Sequence, residues 1–107
     1  MIEINERLTL PEMERILYGN ETVRVSEKLR SQVVASYDFL KEFSKDKVIY
    51  GINTGFGPMA QWRIEDAHLK ELQYNIIRSH STGAGDRIPD ICVRAAMLSR
   101  LMTFLEG

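Results

Sequence analysis

The sequence has a single cysteine, Cys92, and no apolar run near the roughly 18 residues that a membrane span needs. One thiol cannot form an internal disulfide, so nothing indicates an oxidising compartment. The 14 basic residues nearly balance the 15 acidic ones, which gives no electrostatic reason to expect nucleic-acid or membrane binding. The polar start, Met1 to Arg7, lacks the basic segment and apolar run of a signal peptide. These absences predict a cytoplasmic protein without nucleic-acid or membrane partners.

The 107 residues that are present suffice for one modest domain, because 44% of them are hydrophobic. Four segments have the apolar spacing of amphipathic helices, residues 9–18, 26–43, 66–81 and 89–105, and Thr9 and Ser26 are the predicted N-caps of the first two. The predicted inward stripes of the first, third and fourth helices are Leu10, Met13 and Leu17; Leu69, Leu72, Ile76 and His80; and Ile91, Ala95, Leu98, Leu101, Met102 and Leu105. Residues 2–8 and 48–50 are predicted to be short strands that can pair with each other. The predicted fold is therefore mainly α with short β-strands (α+β), in a single segment that spans residues 1–107.

A loop after Tyr50 is the least ordinary part of the sequence. Gly51, Gly55, Gly57 and Pro58 fall close together, and this density predicts a backbone with unusual angles or close approaches. No Gly-Lys-Ser/Thr follows, so the loop does not match a phosphate-binding P-loop. Tyr50 is either a packed core tyrosine or a reactive group at the edge of the loop, and spacing alone leaves both interpretations open.

The two histidines and the cysteine also allow more than one interpretation. His80 lies on the apolar stripe of the third helix. It is a core residue with its hydrogen bonds satisfied, a partner for the helix C-terminus, or a functional group, and the pattern leaves all three interpretations open. His68 lies off that stripe, with no carboxylate expected to face it from the next turn, so the pair predicts no metal site. Cys92, near the start of the last helix, is either an activated thiol or a packing residue.

Two blocks of the sequence resemble those of a known family. Residues 50–57, Tyr-Gly-Ile-Asn-Thr-Gly-Phe-Gly, resemble the Tyr-Gly-x-Asn-Thr-Gly-Phe-Gly signature of the histidine/phenylalanine/tyrosine ammonia-lyases. Residues 72–85 are similar to the family's Leu-Gln-x-Asn-Leu-x-x-Ser-His-x-x-Gly-x-Gly segment, and the separation between the blocks also fits. The resemblance implies that the chain is the N-terminal piece of a larger helical enzyme that assembles into a homotetramer.

The resemblance also implies a chemistry. In this family an electrophilic methylidene-imidazolone (MIO), formed from an internal Ala-Ser-Gly, assists the elimination of ammonia from an aromatic L-amino acid to give an α,β-unsaturated acid. Tyr50 would be the catalytic base that removes the β-proton. That role requires cationic or dipolar neighbours, because a free phenol ionises well above neutral pH. Gly57 would let the backbone approach the substrate, in a loop able to act as a lid.

Ser79-His80 looks like the family's selectivity pair. Phenylalanine lyases carry apolar residues there, whereas histidine lyases carry Ser-His, as do some bacterial tyrosine lyases and the tyrosine aminomutases. A hydrogen-bonding His80 suits either an imidazole or a phenol, since both present a polar tip on a flat ring. Histidine is therefore the expected substrate and tyrosine its close alternative, with amino migration as an alternative to elimination.

One element of the family's chemistry is absent, because the 107 residues contain no Ala-Ser-Gly. MIO cannot form from this chain, so the resemblance predicts a fragment that is inactive alone and needs the rest of the parent subunit. The alternative is a non-catalytic binding module, derived from the family, that binds an aromatic amino acid. In the fragment, apolar surface on the last two helices is expected to stay exposed and to favour self-association.

Overall fold

The computed structural model describes all 107 residues, Met1 to Gly107. Its helices are α1 (Leu10–Gly19), α2 (Glu27–Phe43), α3 (Leu69–His80) and α4 (Asp90–Phe104), and its strands are β1 (Ile2–Ile4) and β2 (Val23–Val25). The predicted fold class, mainly helical with short strands, is confirmed. None of the helices has the length and apolar character that crossing a bilayer requires.

The start of α1 follows its sequence signals. The backbone N–H of Thr9 donates to Glu12 Oε2 at 2.8 Å, and the Thr9 hydroxyl donates to the same oxygen at 2.7 Å. The hydrogen bond from the Thr9 backbone is the main reason that the pKa of the Glu12 carboxyl is lowered from its ordinary value. At the other end, Asn20 adopts a φ of 53° that closes the helix just after Gly19. The prediction of a helix over residues 9–18 is correct to within one residue at each end.

The prediction of strand pairing was wrong. The first strand ends at Ile4 rather than at residue 8, and it pairs in parallel with β2, Ile2 lying opposite Val23 and Ile4 opposite Val25. The Val-Arg-Val alternation of β2 is a short strand signal in a segment for which no strand was predicted.

Residues 48–50 form no strand. The backbone N–H of Ile49 donates to Asn53 Oδ1 at 2.8 Å, and the Ile49 carbonyl accepts the N–H groups of Ile52 and Asn53 at 3.1 and 3.2 Å. Because these groups are bonded within a local turn, the Ile49 backbone has no free donor to offer a partner strand.

One compact unit comprises Met1–Phe39 and Arg87–Gly107. Its buried apolar cluster is formed by Ile2, Ile16 and Leu98, one from β1, one from α1 and one from α4. The apolar face predicted for the last helix is confirmed, since its remaining members are all half-buried: Ile91, Ala95, Leu101, Met102 and Leu105.

Hydrogen bonds from one arginine join α1 to α4 in this unit. Arg94 on α4 donates to the Ile16 carbonyl and to Asn20 Oδ1, both at 2.9 Å, so the end of α1 is bonded to α4. Leu10, which the sequence assigned to the inner face of α1, is 81% exposed. Ile16 is the buried residue of that helix instead.

The second compact unit comprises Leu40–Asp86. It contains the end of α2, a long loop, and α3, which begins at Leu69 because Asp66–His68 form a short 3₁₀ turn. The half-buried residues of α3 follow the predicted stripe: Leu69, Leu72 and Ile76.

Exposed apolar surface is present on both of the last helices, as expected. It consists of large side chains outside the predicted stripes: Tyr74 and Ile77 on α3, and Val93, Met97 and Phe104 on α4. Apolar side chains are therefore exposed on both helices, but the expectation that the stripes themselves stay uncovered was wrong, and self-association stays a prediction.

The placement of Ile4 in the core can be tested by truncation. Ile4 is 1% exposed, so Ile4→Ala should lower the free energy of unfolding by about 2–5 kcal/mol. Ile88→Ala removes the same atoms from a side chain that is 59% exposed, and should change it by less than about 0.5 kcal/mol. Urea unfolding followed by circular dichroism measures both values, and equal losses would contradict the assignment.

Candidate active site

The loop predicted to carry chemistry is organised around Asn53, which is 1% exposed. Its Nδ2 donates to the carbonyl oxygens of Ser44 at 3.1 Å and Lys47 at 2.7 Å, and its Oδ1 accepts the Ile49 N–H at 2.8 Å. The Asn53 backbone carbonyl accepts the Ile64 N–H at 2.8 Å. One residue therefore bonds both the segment that enters the loop and the segment that leaves it, with both side-chain donors in use.

Thr54 continues this buried polar framework. It is 1% exposed, and its hydroxyl accepts the Gly51 N–H at 3.3 Å and donates to the Gly55 carbonyl at 2.8 Å. Thr54 forms an isolated antiparallel bridge with Arg63, and the Gly55 N–H donates to the Trp62 carbonyl at 3.1 Å. These bonds join the two halves of the loop.

Glycine is required at two positions for different reasons. Gly51 has a φ of +78°, a conformation that residues with a side chain rarely adopt. Gly55 lies so close to Met59 that an added Cβ would be 2.6 Å from the Met59 carbonyl oxygen. The glycine density that marked this segment in the sequence therefore reflects a backbone angle and a close approach within the chain itself.

Tyr50 stands outside the buried framework and is 63% exposed. Its hydroxyl oxygen lies 3.5 Å from the Gly57 backbone nitrogen, which donates to it. Its ring meets Phe56 edge to face, with centroids 5.7 Å apart and planes at 70°. The interpretation of Tyr50 as a packed core residue is thus wrong, and the two ends of the eight-residue motif come together.

Ser79 and His80 end α3 and share one acceptor. The Ile76 carbonyl accepts the Ser79 hydroxyl at 3.0 Å and lies 2.9 Å from His80 Nδ1. A carbonyl can only accept, so Nδ1 donates to it, and in the neutral form of the ring Nε2 is then the acceptor. His80 is exposed, so its interpretation as a core residue is wrong. Its ring instead offers a hydrogen-bond acceptor to another molecule or segment.

The candidate residues fall into two pairs within the same compact unit. Tyr50 meets Gly57 across the loop, and Ser79 Oγ lies 3.1 Å from His80 Nδ1. The helix and the loop are joined by Gln73 Nε2, which donates to the Gly51 carbonyl at 3.4 Å.

The other candidates of the sequence do not form a site. His68 is exposed with Nδ1 3.4 Å from a Glu71 carboxylate oxygen, so the expectation that no carboxylate faces it was wrong. No group of three or more His, Cys, Asp or Glu side chains is arranged to hold a metal ion. Cys92 is a free, exposed thiol and not a packing residue.

Asn53 and Thr54 were not singled out from the sequence. The available signal was a pair of small polar residues between glycines, a setting in which Asn and Thr side chains bond to nearby backbone groups.

The framework is tested by an isosteric change at its centre. Asn53→Asp removes the donors to the Ser44 and Lys47 carbonyls and should lower the free energy of unfolding by at least about 2 kcal/mol. The loss should shrink near about pH 4, where the introduced carboxyl is protonated and regains one donor. Fluorescence of Trp62, the sole tryptophan, reports on the loop.

The matched control is Asn75→Asp. Asn75 is exposed, and Arg78 donates to its Oδ1 at 3.5 Å, so the same chemical change should alter stability by less than about 0.5 kcal/mol. A loss at Asn75 as large as that at Asn53 would refute the buried framework.

Comparison with known proteins identifies one family. The model of the aromatic amino acid lyases matches residues 8–107. The histidine ammonia-lyase of Geobacillus sp. strain WCH70 is 40% identical over 101 residues, which are 94% of this chain and 20% of that enzyme.

Solved structures agree with this result. Tyrosine aminomutase from Streptomyces globisporus has a TM-score of 0.84 at 29% identity, and it covers 99% of this chain, which spans 20% of that protein. Phenylalanine aminomutase of Pantoea agglomerans has a TM-score of 0.84 at 30% identity, and it likewise covers 99% of this chain, which spans 21% of that protein. The chain therefore spans about a fifth of the length of the relatives that it matches.

Proposed function

The chain belongs to the aromatic amino acid lyase family, and from that premise we propose that it is the N-terminal segment of an ammonia-lyase that carries the proton-accepting tyrosine and part of the ring-binding pocket. The proposed reaction eliminates ammonia from L-histidine to give the α,β-unsaturated acid. The loop of residues 50–57 carries the proposal, because buried polar groups hold its backbone while the Tyr50 phenol stays exposed beside the Gly57 N–H.

The proposed roles follow from the groups that are free to act. As a phenolate, Tyr50 accepts the β-proton of the substrate and becomes the neutral phenol, and Gly57 orients its oxygen through an N–H 3.5 Å away. Ser79 and His80 bind the substrate ring. With its ring neutral, His80 offers Nε2 as an acceptor, which favours an imidazole N–H or a phenol O–H over a phenyl ring, which has no donor.

The electrophile is proposed to come from elsewhere in the polypeptide. When present, MIO activates the substrate toward loss of its amino group. The 107 residues contain no Ala-Ser-Gly and do not fit as its source, so the steps assigned to this chain are proton transfer and binding. The proposed working form is a cytoplasmic homotetramer of the longer polypeptide, and the segment alone is inactive.

A graft tests the proposed function. In this graft, residues 1–107 replace the matching segment of the Geobacillus histidine ammonia-lyase. Absorbance of the acrylate product should show histidine turnover by the graft and none by the isolated chain. Tyr50→Phe in the graft should lower kcat about 100- to 10,000-fold, since it removes only the oxygen that accepts the proton as a phenolate.

The possible outcomes separate the alternatives. Turnover by the isolated chain would refute the assignment of the electrophile to another segment, and full activity of Tyr50→Phe would refute the role of Tyr50. Tight calorimetric binding of histidine or tyrosine by the isolated chain would favour the binding-module alternative.

Tyrosine is the second candidate substrate, and a tyrosine aminomutase the second candidate activity. The structural likeness to the Streptomyces tyrosine aminomutase, with a TM-score of 0.84, supports this alternative. Grafting the segment into that enzyme as well would discriminate between the two. The histidine proposal expects the lyase graft to keep more of its host's activity than the aminomutase graft.

The ring-binding role of His80 has its own test. His80→Leu in the lyase graft removes the Nε2 acceptor and should lower kcat/KM for histidine roughly 10- to 100-fold, the loss expected for one hydrogen bond in a closed site. His68→Leu makes the same change at an exposed histidine in the 3₁₀ turn before α3 and should leave kcat/KM unaltered. Equal losses in the two variants would contradict a specific role for His80.

A further inference from the structure

Gln73 makes a contact that the roles above do not use. Its Nε2 donates to the Gly51 carbonyl oxygen at 3.4 Å. Gly51 directly follows Tyr50 and has a φ of +78°, so the direction of its carbonyl and the position of the Tyr50 backbone are set by the same turn. A side chain that holds this carbonyl therefore also restrains Tyr50.

The rest of the loop framework does not involve α3. Asn53 bonds to Ser44, Lys47, Ile49 and Ile64, all of which lie before Leu69, where α3 begins. The Thr54 hydroxyl bonds only within the motif. The framework can thus hold the loop's own shape, but the hydrogen bond from Gln73 relates that shape to the helix.

Gln73 and His80 lie on the same face of α3. Seven residues turn an α-helix to within about 20° of two full turns and advance it by about 10 Å. Gln73 and His80 both belong to the single helix Leu69–His80. One continuous helix face therefore carries both the bond from Gln73 to the Tyr50 turn and, two turns later at the end of the helix, the proposed ring-binding histidine.

We propose that Gln73 is a positioning residue, which fixes the separation between Tyr50 and His80 by bonding the Gly51 carbonyl to the helix that carries His80. This inference rests on the proposed function of those two residues. A proton acceptor and a ring-binding group must be held at a set separation on one substrate, and a misplacement of about 1 Å can cost roughly 100-fold in rate.

Kinetics of the lyase graft test the inference. Gln73→Met keeps the length of the side chain and removes the donor, so kcat should fall about 10- to 100-fold while KM for histidine changes less than about threefold. In the Tyr50→Phe background the same change should cost nothing further, because its effect acts through Tyr50. Gln32→Met makes the same substitution at an exposed glutamine of α2 and should leave kcat unaltered.

A different hydrogen-bond donor at position 73 should restore part of the lost activity. Gln73→Lys returns a donor of similar reach and should recover a measurable part of the kcat that Gln73→Met loses. Losses that add fully to those of Tyr50→Phe, or a lysine variant no better than the methionine variant, would overturn the positioning role.

Hydrogen exchange of the 107-residue chain separates this inference from the proposed function. Gln73→Met should speed amide exchange in a peptide covering residues 50–57, whereas Gln32→Met should not. An inactive graft would refute the proposed function. The exchange result would then still show whether Gln73 restrains the loop through the Gly51 carbonyl. Unchanged exchange in Gln73→Met would overturn the inference even if the graft is active.

Discussion

The buried side-chain amide of Asn53 is the interaction on which the candidate site depends. Its three hydrogen bonds, to Ser44, Lys47 and Ile49, span 2.7 to 3.1 Å and leave none of its donors free. A buried polar group without a partner costs about 1–3 kcal/mol. Any other path of the backbone here would break several of these hydrogen bonds and incur that cost for each one. The residues around Asn53 are thereby held in a turn, and Tyr50 is displayed at its edge.

The buried and the exposed residues of the candidate site therefore have different roles. The buried members of the motif, Asn53 and Thr54, build the loop, whereas Tyr50 and His80 are exposed and bond mainly to backbone groups of their own neighbourhood. Exposed apolar side chains on both units suit the same account. In relatives about five times as long, further polypeptide is available to cover such surface, and under the proposed function that polypeptide completes the site.

Local signals predicted the helices well and the conformation of the loop poorly. Thr9 and Ser26 marked helix starts because capping is decided within four residues, and the Ser26 hydroxyl accepts the Leu29 N–H at 3.4 Å. Residues 48–50 were mistaken for a strand because the side chain that occupies the Ile49 N–H lies four residues ahead, in the glycine-rich segment. The exposure of Tyr50 could not be predicted from the sequence. An apolar pattern looks the same whether its side chains are buried within these 107 residues or remain exposed on their surface.

Amide exchange measured by nuclear magnetic resonance tests the central claim, that a buried Asn53 framework holds the loop. The relevant amides are those of Ile49 and Ile64, each bonded to Asn53 at 2.8 Å, and that of Gly57, whose acceptor is the exposed Tyr50 hydroxyl at 3.5 Å. We expect the first two to exchange at least roughly 100-fold more slowly than the third. Equal, fast exchange at all three would show that the framework does not hold the loop, and would contradict the account.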